Sequence, residues 1–98
     1  MELTRDQSCV DRINWRCDLP SSVSGDVVFA RLAKLQGHLV EGPGPLLYVV
    51  RVPGQHQVLI VPRTGRVQIR VSYDVPKLDR RLAAEGVFAT LVRLIRQA

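Results

Sequence analysis

Residues 46–73, LLYVVRVPGQHQVLIVPRTGRVQIRVSY, decide how this chain is read. Leu46–Val50 with Val52, then Val58–Val61, then Val67, Ile69 and Val71 are dense in aliphatic, β-branched and aromatic side chains. Such residues suit a pleated, half-buried surface, so three strands are expected, divided by two turn signals. In PRTGR, Gly65 supplies the positive φ of a tight hairpin. A two-residue Thr64-Gly65 turn predicts Arg63 opposite Arg66, with Ile60/Ile69 and Val58/Val71 paired on the core side. Alternation then puts Leu59 and Val61 on the other face beside Gln68, Arg70 and Ser72. The PGQHQ turn is longer. Pairing Val52 with Val58 keeps Tyr48, Val50 and Val52 inward and sends Arg51 outward next to Arg70. Pairing Val52 with Gln57 would bury Arg51 without a partner, at a cost of several kcal/mol, so the first register is expected.

Upstream, Cys9, Ile13, Trp15, Cys17 and Leu19 share one phase of a period-two pattern, with Asp11 interrupting. This predicts a half-buried strand anchored by Trp15. Residues 1–8 read as a polar, frayed start. Pro20 ends the strand, and Ser21, Ser22 and Ser24 offer helix caps. Val28, Phe29, Leu32 and Leu35 have helical spacing, with Asp26 at the favourable N-terminal end, Gly37 as the stop, and Arg31 and Lys34 outward. His38–Glu41 reads as a brief strand or a connector, and GPGP at 42–45 as a loop. Asp74-Val75-Pro76 marks a boundary. From Lys77 the chain is helical. Leu78 and Leu82 form one apolar stripe, and Phe88, Leu91, Val92 and Ile95 a second, displaced one, which predicts a kink or break near Gly86.

These elements make one α+β domain over residues 1–98. Expected is an antiparallel sheet of four or five strands with two helices on one face, in the order β-α-(β)-β-β-β-α. At the level of element order this resembles the half-repeat of TATA-box-binding proteins, a β-α-β4-α layout covering nearly the whole chain; the resemblance implies a fold and no activity. Residues 24–96 also resemble a double-stranded-RNA-binding domain in their α-β-β-β-α order, with Arg80-Arg81 similar to the basic start of that family's last helix.

Ninety-eight residues suffice for one core and not two. No apolar run reaches the length of a membrane span and no signal-peptide layout opens the chain, so a cytoplasmic protein with no membrane partner is expected. The formal charge of +5 is uneven: residues 1–49 carry five Lys/Arg against six Asp/Glu, and residues 50–98 nine against three, net charges of −1 and +6. That asymmetry points to an anionic partner. The basic residues are twelve Arg and two Lys, a ratio that GC-rich codon usage also produces.

Catalytic and metal signals are thin. Cys9 and Cys17 on one strand would stand roughly 26 Å apart, too far to bond. With His38 and His56 they complete the inventory of a zinc site, but C-x7-C and H-x17-H lack the short ligand spacing such sites use. The serines read as caps, Asp74 and Asp79 as helix-start residues, and no phosphate-binding glycine loop occurs. No enzyme, cofactor or small-molecule substrate is expected. The surface is more informative. Arg12, Asn14 and Arg16 are expected on the same outer face as Arg51, Gln68 and Arg70, with Arg63 and Arg66 at the hairpin tip. Guanidinium groups beside Leu59 and Val61 suit phosphates and sugar edges, which points to nucleic acid, while the shortage of exposed aromatics disfavours binding by base stacking. The competing class is protein association, as a homodimer or adaptor, through Leu47, Val49, Leu59 and Val61. Helices on both sides of the sheet would remove either site.

Overall fold

The computed structural model describes residues 1–5, 13–44 and 47–96, the side chains of 41–44 excepted. Six strands, β1 (Thr4–Arg5), β2 (Asn14–Asp18), β3 (Leu39–Gly44), β4 (Leu47–Val52), β5 (His56–Val61) and β6 (Arg66–Val71), form one antiparallel sheet. Their order is β1-β2-β6-β5-β4-β3. Helix α1 (Gly25–Ala33) follows β2, and α2 (Arg80–Arg96) is the last described element, after a 3₁₀ turn at Lys77–Asp79. The sheet thus has six strands where four or five were expected. One of the additional segments is Thr4–Arg5, inside the stretch read as frayed, which pairs with Arg16 and Trp15.

Trp15, Cys17, Val50, Val58, Ile60, Val67, Ile69 and Val71 make one buried cluster with Val28 and Leu32 of α1 and Ala84, Val87, Leu91 and Leu94 of α2. Register puts all eight of those strand residues on a single face, so both helices cover the same side of the sheet. The opposite side has no helix over it among the described residues.

Both central hairpins differ from expectation by two residues. Val52 pairs with His56 instead of Val58, because Pro53 and Gly54 (φ 73°) form a tight turn closed by the Gln55 N–H on the Val52 carbonyl at 3.1 Å. Proline at the second position and a positive-φ glycine at the third are the marks of a type II turn. Ile60 pairs with Val67 and Val58 with Ile69, so Arg63 lies inside a four-residue turn and not opposite Arg66. That longer turn keeps Pro62, which has no N–H, out of the ladder of a central strand. Gly65 (φ 74°) donates to the Val61 carbonyl at 2.9 Å. Each slip is an even number of residues, so no side chain changes face.

Helix α1 begins where the Ser24 hydroxyl accepts the Asp26 N–H at 3.2 Å. The Asp26 carboxylate accepts the Tyr48 hydroxyl, and the Tyr48 ring stacks on Phe29 at 4.3 Å, tying α1 to β4. Arg31, expected outward, instead donates to the Leu94 carbonyl at 2.6 Å, satisfying an acceptor in the last turn of α2. Helix α2 runs through Gly86 without a break, since its buried stripe is one continuous row, Arg80, Ala84, Val87, Leu91 and Leu94. Leu78 and Leu82, read as core, are exposed at 85% and 67%. Residues 42–44, read as loop, belong to β3, an edge strand, where proline and an irregular register between Glu41 and Gly44 are tolerated. Among the described residues no helix is long and apolar enough to cross a membrane.

Candidate nucleic-acid interface

The uncovered face is a grid whose rows follow from the register. One row across β2, β6, β5, β4 and β3 reads Asn14, Arg70, Gln57, Arg51, Leu39. The next row on that face, two residues along each strand, reads Thr4, Arg16, Gln68, Leu59, Val49. A third reads Asp18, Arg66, Val61, with Leu47 following by alternation on β4. Arg16, Arg51, Arg66 and Arg70 are exposed, whereas Leu47, Val49, Leu59 and Val61 are half-buried.

Cationic and apolar groups were expected to be intermixed. The grid instead sorts them: β2 and β6 carry Asn14, Arg16, Asp18, Arg66, Gln68 and Arg70, while β4 and β5 carry the four aliphatic residues. Arg51 and Gln57 extend the polar zone across one end. Arg16 faces Gln68, so Arg66 and Arg70, two positions to either side of Gln68, are its diagonal neighbours at roughly 7–8 Å between Cα atoms. Arg63 is exposed in the turn that leads into Arg66. Arg12 lies outside the described residues.

Local bonds hold part of the track. The Asn14 Oδ1 accepts from Gln68 Nε2 and from Arg70 Nε, each at 3.3 Å. The Arg70 contact uses Nε and so orients the guanidinium plane without using its terminal nitrogens. Arg66 has Asp18 as its cross-strand partner, the one described carboxylate side chain in these rows, which moderates the positive field at that end.

The structure also shows a feature with no period-two or helical signal to announce it. Past the end of β6, Tyr73 is 66% exposed and borders an open hollow of about 380 Å³ shared with Arg51, Gln57, Arg70, Ser72 and Asp74. Tyr73 sits in the connector between β6 and α2, where sequence periodicity says nothing about direction.

The remaining chemistry-bearing side chains do not assemble. His38 and His56 approach to 6.0 Å between ring centres, but Cys17 pairs with Val67, four positions and about 13 Å along β6 from the partner of His56. Cys9 lies outside the described residues, and among those described no three His, Cys, Asp or Glu gather as metal ligands. Burial, then Asp18, push the Cys17 thiol up to about 11, which leaves it protonated and inert at neutral pH.

Burial, then His38, push the His56 imidazole down to about 4 from an ordinary 6.5. The unfolded chain therefore binds this proton first, and the neutral ring favours the fold fully above about 6.5 and progressively less as pH falls to about 4. With solvent screening at a partly exposed ring, the effect is about 1–2 kcal/mol. Urea melts at pH 7 and pH 4.5 are expected to show that much more acid destabilisation in the native chain than in His56→Gln.

Comparison with known protein families, curated proteins and solved structures gives no match, TATA-box-binding half-repeats included.

Proposed function

We propose that this chain is a non-catalytic module that binds nucleic acid through the uncovered face of its sheet. The observation that carries this reading is the arginine zigzag Arg66, Arg16, Arg70 along the β2/β6 seam, with Arg51 in the cross-strand row of Arg70 and the exposed Arg63 in the turn before Arg66. Guanidinium groups spaced along a line on an open surface suit a linear polyanion better than a single small anion, which would need them to converge. The aliphatic zone of Leu59, Val61, Val49 and Leu47 lies directly beside the track, where sugar and base edges would fall when phosphates follow the arginines. Fluorescence anisotropy with labelled DNA and RNA across a salt series tests the reading. Binding is expected to weaken linearly in log–log form, with a slope near −0.9 per phosphate contacted on duplex DNA. Binding that ignores salt would contradict it.

A second reading rests on the same aliphatic residues. Four half-buried aliphatic side chains on adjacent strands form a patch that a second copy would cover by isologous face-to-face packing. Under this reading Leu59→Asp or Val61→Asp converts a species of twice the chain mass into monomer by light scattering. A native chain that is already monomeric at high concentration rules it out.

A further inference from the structure

We infer that His38 and His56 form a two-histidine seat for one divalent transition-metal ion of the zinc type, on the helix-covered side of the sheet. The seat is separate from the arginine track and goes beyond the nucleic-acid reading.

Two turns bring the rings together. His38 stands just past α1, where Gly37 (φ 81°) redirects the chain and the His38 N–H donates to the Leu35 carbonyl at 3.2 Å. His56 opens β5, paired with Val52 and Val71 and in phase with the buried Val58 and Ile60, so its side chain lies on the side that carries the helices. The two ring centres are 6.0 Å apart. A ring nitrogen binds zinc at about 2.0–2.1 Å, which puts the ion about 3.2 Å from each ring centre. Two rings sharing one ion therefore stand roughly 5.2 Å apart at a tetrahedral angle and roughly 6.4 Å apart when opposed, a range that includes the observed separation.

Hydrogen bonding leaves nitrogens available on both rings. His38 Nδ1 lies 3.2 Å from the Gln36 carbonyl. A carbonyl only accepts, so the contact holds the neutral ring as its Nδ1–H tautomer and leaves the Nε2 lone pair for an ion, as in metal-ligating histidines. The half-buried His56 ring meets no hydrogen-bond partner among the described residues, where no unpaired side-chain nitrogen is buried, so its nitrogens reach solvent.

Both rings border one hollow of about 440 Å³, shared with Leu32 and Val87. Gln55 and Thr90 border it too and offer an amide and a hydroxyl oxygen, which with water complete a coordination shell. The Thr90 hydroxyl donates to the Gly86 carbonyl at 3.1 Å and keeps its own oxygen lone pairs. Among the described residues no carboxylate borders the hollow, so the donor set suits zinc and not magnesium or calcium. A bound ion ties the end of α1 to the start of β5, and it stabilises the fold insofar as the unfolded chain holds it less well.

The test titrates the full metal-free chain with zinc chloride at neutral pH, following the imidazole NMR signals and the thermal melt, with magnesium chloride as the control. Zinc is expected to shift both rings together, saturating at one ion per chain, and about 1 mM zinc to raise the melting temperature by roughly 3 °C or more. Magnesium is expected to do neither. His38→Gln and His56→Gln, each compared with its own metal-free melt, are expected to lose the rise. A rise that either variant keeps would put the ion elsewhere, the thiols included, and overturn the inference. So would rings that millimolar zinc leaves unmoved, a response of one ring alone, or an equal response to magnesium. If a variant fails to fold, the ring signals of the native chain decide the matter.

Discussion

Replacing Arg16, Arg66 and Arg70 together by alanine is expected to lower affinity for nucleic acid on the order of 100-fold at low salt, taking about 1 kcal/mol for each lost charged contact. The same variant should flatten the salt dependence by two to three units of slope on duplex DNA, roughly 0.9 for each phosphate no longer neutralised. These three residues sit along the β2/β6 seam, all are exposed, and none contributes to the buried cluster, so the fold should persist. Circular dichroism and the melting midpoint provide that control. A matched triple variant on the helical side, Arg81, Arg93 and Arg96 to alanine, removes the same formal charge from exposed positions of α2. If affinity follows net charge alone, both variants lose equally. If it follows the track, the sheet variant loses far more.

The second large effect concerns stability. Gly25 opens α1, and a Cβ built on it would stand 2.8 Å from the Pro62 Cα, with the Pro62 Cβ at 3.2 Å and the Ile60 Cγ2 at 3.3 Å. The nearest atom is backbone at the end of a central strand, so the collision cannot be relieved by rotating a side chain. Gly25→Ala must push the start of α1 away from β5, disturbing Val28 and Leu32, which are fully buried just beyond. An overpacking cost of about 1–3 kcal/mol is expected, and each kcal/mol lowers the melting temperature of a domain this size by about 4–8 °C. Gly86 is the internal comparison. It lies inside α2, and a Cβ there would meet no neighbour within 4 Å beyond the helix's own backbone, so Gly86→Ala should stabilise by up to about 1 kcal/mol through helix propensity. Two glycine-to-alanine changes of opposite sign, followed by thermal melts, separate close packing from conformational freedom.

The contrast between these glycines also shows what the sequence could reveal. Alternation along β2, β4, β5 and β6 assigned Trp15, Val50, Val58, Ile60, Val67 and Ile69 to the core, and those residues are buried. Facing survived although both hairpin registers were two residues off, because strand parity is insensitive to an even slip. Turn length was misjudged: Pro53-Gly54 closes sooner than expected although it carries a type II signature, and PRTG opens wider because Pro62 stays out of the ladder. In α2 the error ran the other way. Leu78 and Leu82 looked like core by hydrophobicity, yet Arg80 and Ala84 occupy the inward row, Arg80 because Tyr73 and Val75 offer it carbonyl acceptors. A partner supplied by the connector before the helix leaves no trace in helical periodicity.

For the candidate site, the burial argument against an inward Arg51 placed it correctly on the exposed side, beside Gln57. The face was therefore foreseeable from residue type and parity. Its division into a cationic seam and an aliphatic zone was not, because that depends on β6 lying between β2 and β5, a strand order that no local pattern encodes. Tyr73 escaped notice for a related reason: its exposure beside the hollow depends on where the connector after β6 emerges relative to the β4–β5 turn.

The most direct test of the sheet face as the contact surface is an amide NMR titration with a short oligonucleotide at low salt. Shifts are expected to concentrate at Arg16, Arg66, Gln68 and Arg70 and to extend to Leu59 and Arg51, with Ala89, Arg93 and Arg96 of α2 unmoved. Shifts centred on α2 with the sheet face silent would contradict a sheet-borne site.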